Sequence, residues 1–377
     1  MSGIGVDRMG SLADQASDPE ILRMENLDTD LRPPPGVVEI TQTSADQDRC
    51  NSYLPFMGSD ELRQAATNLV NRLAGTGYEW QRSTIICAGG LTGILNTLLA
   101  LLEDGDEVVL PDPIYIGLVN RVRLSGGNPI FVPYHNVHGV WVLDKVELQQ
   151  AVSPRTRIFL MMSPSMPAGA VFTREDWELI CRLCIESGAW MIYDSAMERI
   201  LFDSVEHIHP ASFPGMAGRT ITVGSVSKEY RMIGWRIGWI VAPPEIVNDV
   251  GLVNISNVVC PVGIAQAAAA SALQMPDFEV FSAAREWEKR RDILLQELDG
   301  LPVIRPQGGW SLLMDVSRFG INGAEASRRF FEKGKIAATP MTGWGSKRSD
   351  QYIRLVFSNE PVERLTGIRK RIELALS

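Results

Sequence analysis

The chain has 377 residues, 45% of them apolar and 21% charged, a globular mixture that excludes collagen-like and low-complexity architectures. At about 150 residues per domain, this length suits two domains or one large α/β domain. Thirty-six basic against 45 acidic residues leave a net charge of −9, which argues against a surface built for phosphate backbones, so no nucleic acid partner is expected.

The first 30 residues lack the apolar run of about 7–15 residues that marks a signal peptide. No segment reaches the roughly 18 uninterrupted apolar residues of a membrane span, and no membrane partner is expected. The polar start ends in Arg32-Pro33-Pro34-Pro35-Gly36, where fixed φ and missing N–H groups oppose regular structure, so an N-terminal arm is expected there. From residue 80 the text becomes regular: 84–87 is a short β-rich run, a glycine pair follows, and 92–102 has helical apolar content. Similar apolar runs recur at 107–110, 130–132, 158–162, 190–193, 220–223 and 237–241, with helical stretches between most of them. Short apolar strands alternating with helices imply a mostly parallel sheet buried on both faces. Cys181 and Cys184 sit in the helical pattern Trp177, Ile180, Cys181, Cys184, Ile185 and read as buried thiols. Five cysteines, an odd and scattered set, suit a reducing cytoplasm, and no metal-ligand grouping is expected.

Residues 279–298 read as a long charged helix punctuated by Phe281, Trp287 and Leu294 or Leu295, long enough to bridge two domains. Strands at 303–305, 310–316 and 352–357, a helix at 324–333 and a final amphipathic helix at 361–376 make a smaller α+β unit. The expected division is an arm with part of the small domain (1–47), a large domain (48–285) and a small C-terminal domain (286–377).

The chemistry concentrates in Ser225-Val226-Ser227-Lys228-Glu229-Tyr230-Arg231-Met232-Ile233-Gly234-Trp235-Arg236-Ile237-Gly238-Trp239. A lysine bracketed by small hydroxyl residues after a buried strand, with an arginine eight residues on, brings an amine and a guanidinium to one pocket. Upstream, Ala88-Gly89-Gly90-Leu91-Thr92-Gly93 follows a strand and opens a helix, a place where backbone N–H groups and the helix dipole favour an anion. Asp194 closes the run Met191-Ile192-Tyr193-Asp194. A carboxylate there is costly unless something positive meets it.

The order Ser-x-Ser-Lys and Gly-x-Arg-x-Gly resembles the Schiff-base segment of the class I aminotransferases, the aspartate aminotransferase superfamily of pyridoxal 5′-phosphate enzymes of fold type I. The resemblance implies an α/β fold with a mostly parallel seven-stranded sheet flanked by helices and a smaller α+β domain. It implies that Lys228 carries the cofactor as a Schiff base and then moves the proton between the substrate Cα and the cofactor. Asp194 would pair with the pyridine nitrogen and Tyr115 would stack on the ring. Gly89, Gly90, Leu91, Ser225 and Arg236 would hold the phosphate, and Tyr53 would reach the phosphate of a neighbouring subunit, so that a homodimer with shared active sites is implied. Arg354 would hold the substrate α-carboxylate.

Three departures from the family stand out. Met166 and Met197 replace the asparagine and tyrosine that donate to the cofactor's phenolic oxygen, so the Schiff base is expected to keep its proton to higher pH. Thr43 stands where the family usually has a glycine near the substrate. Leu91 stands where some aspartate-using members carry a lysine, and with Trp310, Met166 and Met197 this points to a neutral or apolar substrate. The expected function is amino-group transfer between an L-amino acid and a 2-oxo acid in ping-pong half-reactions. A lyase, cyclase or oxidase on the same fold is the alternative drawn from the two methionines. A cofactor-retaining regulator is the third, although the arm before residue 36 is too small and not basic, as a DNA-binding appendage would be.

Overall fold

The computed structural model describes residues 5–377; residues 1–4 of the expected arm lie outside the described residues. Thirteen strands follow in chain order: β1 (Leu22–Met24), β2 (Thr84–Cys87), β3 (Glu107–Asp112), β4 (Asn128–Val137), β5 (Val140–Leu143), β6 (Thr156–Met162), β7 (Trp190–Asp194), β8 (Thr220–Ser225), β9 (Gly238–Val241), β10 (Val303–Ile304), β11 (Ser311–Asp315), β12 (Ile336–Pro340) and β13 (Tyr352–Val356). They form two sheets.

The larger sheet has the order β2-β9-β8-β7-β6-β3-β4-β5. Pairing is parallel from β8 through β7, β6 and β3 to β4, and antiparallel around β9. The seven expected strands are all present. Every residue of β2, β3, β8 and β9 is buried, because helices cover both faces and the strands carry apolar side chains both ways. An eighth strand, β5, folds back on β4 through His138-Gly139, both at positive φ (53° and 82°), the backbone form that suits the twist of a tight hairpin. The smaller sheet runs β1-β12-β13-β11-β10, with β1 parallel to β12 and the remaining pairs antiparallel.

Two sequence expectations are corrected here. The arm is not irregular: a helix spans Gly5–Ala16, and β1 enters the small sheet opposite Ile336–Ala338. The last helix is two, Val362–Leu365 and Ile368–Leu376, parted at Gly367, whose φ of 84° no continuing helix adopts. The long helix spans Phe278–Glu297 and contains positions 285 and 286. It buries Trp287 and Leu294 but exposes Phe281. Its buried Arg290 and Arg291 are ion-paired to Asp30 at 2.7 Å and to Asp203 at 2.7 Å, respectively. Among the described residues no helix is long and apolar enough to cross a membrane.

Candidate active site

The carboxyl ends of β6, β7 and β8 open onto a cavity of about 300 Å³ lined from both sheets, with Met162, Asp194 and Ser225 at the strand ends. In open α/β sheets this is the edge where loops leave room for a ligand.

Lys228 lies just beyond β8. Its Nζ donates to the Leu27 carbonyl at 2.6 Å and stands 4.9 Å from the centre of the Trp310 ring. Burial lowers its pKa to about 8; Asp28 opposes the shift, while Arg354 and Arg236 add to it. A lysine so placed has a sizeable neutral fraction near neutrality, which nucleophilic attack and proton abstraction both require. Asp194 ends β7 and is 7% exposed. Burial raises its pKa to about 6, relieved by the Ala196 N–H donating at 3.1 Å and by the more distant Arg121. A costly buried acid with no cation in contact fits a cationic ligand atom.

One buried ion-pair network holds the chain beside both groups. Arg199 donates to Glu229, the neighbour of Lys228, at 2.6 and 2.8 Å, and to the Tyr230 hydroxyl at 2.8 Å and Asp277 at 2.8 Å. His207 meets Glu198 at 2.9 Å.

The glycine loop forms an anion cradle. Gly89 has φ 85°, and a Cβ there would lie 2.5 Å from a guanidinium nitrogen of Arg236. Only a glycine lets that guanidinium lie against the start of helix Gly90–Leu101. Gly238 lets β9 press on the same loop, since its Cβ would sit 2.6 Å from the Gly90 nitrogen. Arg236 is fixed by donating to Ile233 O at 2.7 Å and Ser227 Oγ at 3.3 Å. Gly90, Leu91, Ser225, Ser227 and Arg236 all line the cavity. A helix N-terminus, two hydroxyls and a guanidinium suit a phosphate.

On the opposite side Arg354 of β13 is 1% exposed. It donates to Glu25 O and, at 3.5 Å, to both Thr339 Oγ1 and Met166 Sδ, while its Nε is buried without a partner. Burial lowers its pKa to about 10, so it is still charged at neutrality. An orphaned buried N–H beside a cavity is a donor waiting for an acceptor, and a carboxylate matches the fork. Tyr115 caps helix Ile116–Leu124 and lines the cavity. Its ring lies over Gly117, where a Cβ would overlap it. Trp344 is wedged between the two groups, 5.3 Å from the Tyr115 ring and 4.8 Å from the Arg354 guanidinium. The loop carrying it is tied to the large sheet by Ile114 N–H donating to Trp344 O at 2.9 Å and by Ser346 Oγ donating to Asp112 at 2.5 Å.

A protein-family model described as aminotransferase class I and II matches residues 23–372. The chain belongs to the class I and II aminotransferases. It is 31% identical over 330 residues to aromatic-amino-acid aminotransferase 2 of Thermococcus litoralis, covering 86% of this chain and 84% of that one. It is 30% identical over 330 residues to an aspartate aminotransferase of Pyrococcus abyssi, covering 86% and 84%. Among solved structures, N-succinyldiaminopimelate aminotransferase from Mycobacterium tuberculosis superposes with a TM-score of 0.93 at 27% identity, covering 99% of this chain and 97% of that one. Aspartate aminotransferase from Thermus thermophilus with maleate gives 0.91 at 28%, covering 100% and 97%. The fold is that of the type I pyridoxal-phosphate enzymes, and the activity of this aminotransferase is amino-group transfer between an amino acid and a 2-oxo acid.

In this aminotransferase the structure brings Lys228, Asp194, Tyr115, Gly90, Leu91, Ser225, Arg236, Met166, Met197 and Arg354 into one cavity, with Gly89 directly behind Arg236. Thr43 is corrected: it lies on the exposed face of helix Val37–Ala45, and its hydroxyl donates to Glu39 O one turn back at 2.9 Å. The chain that faces Lys228 is instead Asn26-Leu27-Asp28. Tyr53 is 80% exposed and outside the cavity of its own chain. Sequence reasoning missed Asn26, Leu27, Asp28, Val6 of the first helix, and Trp344. For Trp344 the flanking Gly343 and Gly345 were a usable signal, since a Cβ on Gly345 would collide with Asp112; for the 26–28 turn there was none.

Proposed function

We propose that this aminotransferase holds pyridoxal 5′-phosphate with its phosphate against Gly89, Gly90, Leu91, Ser225, Ser227 and Arg236 and its ring between Tyr115 and the strand ends. The observation that carries the reading is the convergence of the Lys228 amine, the buried Asp194 carboxyl and the half-satisfied Arg354 fork on one cavity. When bound, the cofactor supplies an aldehyde that condenses with amines and a ring that accepts the electron pair left when Cα–H breaks. Arg354 grips the substrate α-carboxylate and so orients the bond to be broken. The Lys228 amine would carry the proton from the substrate Cα to the cofactor carbon that takes up the amino group. Asp194 would face the ring nitrogen and keep it protonated, and that positive charge would remove the burial penalty of its carboxylate.

The same reading includes a homodimer. Tyr53, Phe56, Leu252, Val259 and Val262 are exposed on a surface where Met57 packs on Gly251 and the backbone of Cys50 approaches Gly263. A second copy covering this face would bring its Tyr53 to the first copy's phosphate. We read the division of the chain as 1–47 and 286–377 for the smaller unit and 48–285 for the cofactor-binding unit. The unpaired state of all five cysteines supports a cytoplasmic setting.

Met166 and Met197 both line the cavity, and they favour a second reading as a lyase, cyclase or oxidase. Single-turnover absorbance separates the two: a transferase leaves an aminated cofactor that a 2-oxo acid converts back. Lys228→Ala should abolish the visible absorbance of the lysine-bound cofactor and its trapping by borohydride. Trapping on the chain in that variant would defeat the assignment of Lys228, and sedimentation as a monomer would defeat the dimer.

A further inference from the structure

Among the described residues, Asp28 is the one acid lining the cavity that the chemistry above leaves unused. It sits in a turn pinned from several sides. Asp28 N–H donates to Asn26 O at 2.9 Å, Leu27 O receives Lys228 at 2.6 Å, and Asp28 O receives the Ser358 hydroxyl. One residue earlier, Glu25 O receives both Arg354 and Thr339. The turn is therefore held by the same strands that carry the carboxylate-binding arginine. The Asp28 side chain accepts one short-range bond, from Thr29 N–H at 2.8 Å. Among the described residues no lysine, arginine or histidine forms an ion pair with it.

The cations facing the cavity are Lys228, Arg236 and Arg354. The amine, the phosphate and the α-carboxylate occupy all three, so among the described residues this chain offers no further cation for a second carboxylate on the substrate. Val6, Leu27 and Ile233 give the same cavity an apolar wall. Methylene groups can lie on that wall, and a positive end can meet Asp28; a negative end would be repelled by it.

The geometry points to Asp28 as the specificity-determining residue for the amino donor, selecting an α-amino acid whose side chain ends in an amine or guanidine and rejecting dicarboxylic ones. This rests on the aminotransferase reading of Lys228 and Arg354. It departs from the neutral or apolar substrate expected from Leu91, Trp310, Met166 and Met197 by giving that pocket a charged end.

The test is single-turnover absorbance of the cofactor-loaded enzyme with lysine, ornithine and arginine, with norleucine as the neutral counterpart, and with glutamate and aspartate. The second-order rate constant for a basic donor should exceed that for norleucine by about tenfold or more, with the acidic donors lowest, and the ratio should shrink as salt is raised. Asp28→Asn should bring the basic-to-neutral ratio close to one, and Asp28→Glu should keep it well above one. The inference is overturned if glutamate matches lysine in the wild type, or if Asp28→Asn leaves the ratio as it was. If the Asn variant loses its cofactor absorbance, the salt dependence of the wild-type ratio decides: a ratio indifferent to salt overturns the inference. No spectral change with any of the three classes overturns the transferase reading together with it.

Discussion

Replacing Asp194 by Asn should make the cofactor-free protein more stable while weakening its hold on the cofactor. Burial raises the carboxyl from 3.8 to about 6. A folded-state pKa above the unfolded one means that the native protein binds its proton more tightly, so stability falls as pH rises between the two values and levels off above the higher one. The shift is about two units, and one unit corresponds to about 1.4 kcal/mol. The carboxylate therefore costs the empty protein about 1.5 kcal/mol near pH 5 and about 3 kcal/mol near pH 8. The amide has nearly the same shape, keeps an oxygen for the Ala196 N–H, and does not titrate. Urea unfolding of cofactor-stripped wild type and Asp194→Asn, taken as a difference at each pH, isolates this one group because other titrations cancel. The variant should gain on the wild type by about 1.4 kcal/mol between those two pH values. With cofactor present the order should reverse, since a ring cation removes the penalty only in the wild type. A difference that stays flat with pH, or a wild type that is the more stable empty protein near pH 8, would refute the reasoning.

Arg354→Lys keeps the charge but loses the fork, and at about 1.5–3 kcal/mol per charged hydrogen bond the loss should be roughly 10- to 100-fold in kcat/KM for the amino acid. Steady-state kinetics checks it, and an unchanged value would remove Arg354 from substrate binding. Gly89→Ala places a methyl group at a φ of 85° against Arg236; the backbone alone costs about 1–2 kcal/mol, so pyridoxal phosphate affinity should fall about tenfold or more. Binding of phosphate-free pyridoxal, followed by fluorescence, should change much less. Absorbance titration of the lysine-bound cofactor should show a transition at or above neutrality, and Met166→Asn should move it down by supplying an N–H donor; a wild-type transition well below neutrality would reject the role given to the two methionines.

The large sheet was legible because strands buried on both faces must be apolar throughout, as 84–87 and 220–223 are. β1 was not, since Leu22-Arg23-Met24 is only three residues long and its central arginine is half-exposed. β12 hides in Ile336-Ala337-Ala338-Thr339-Pro340, which carries little β-branched or aromatic content. Lys228, Asp194, Arg236 and Arg354 could be read because each lies on or beside a strand with recognisable neighbours. Leu27 could not, because its meeting with Lys228 spans 201 positions in the chain and follows from β1 joining the small sheet. Thr43 misled for the same reason: without β1, nothing in the polar N-terminal stretch says which part turns inward.

The pairing of β1 with β12 has a consequence for synthesis on the ribosome. The Glu25 carbonyl that helps hold Arg354 is bonded to Thr339, 314 positions later, so the wall beside Lys228 stays unbuilt until nearly the whole polypeptide has emerged. A nascent chain can complete its large sheet long before it has anywhere to grip an amino acid, and products of early termination would keep the anion cradle while lacking Arg354.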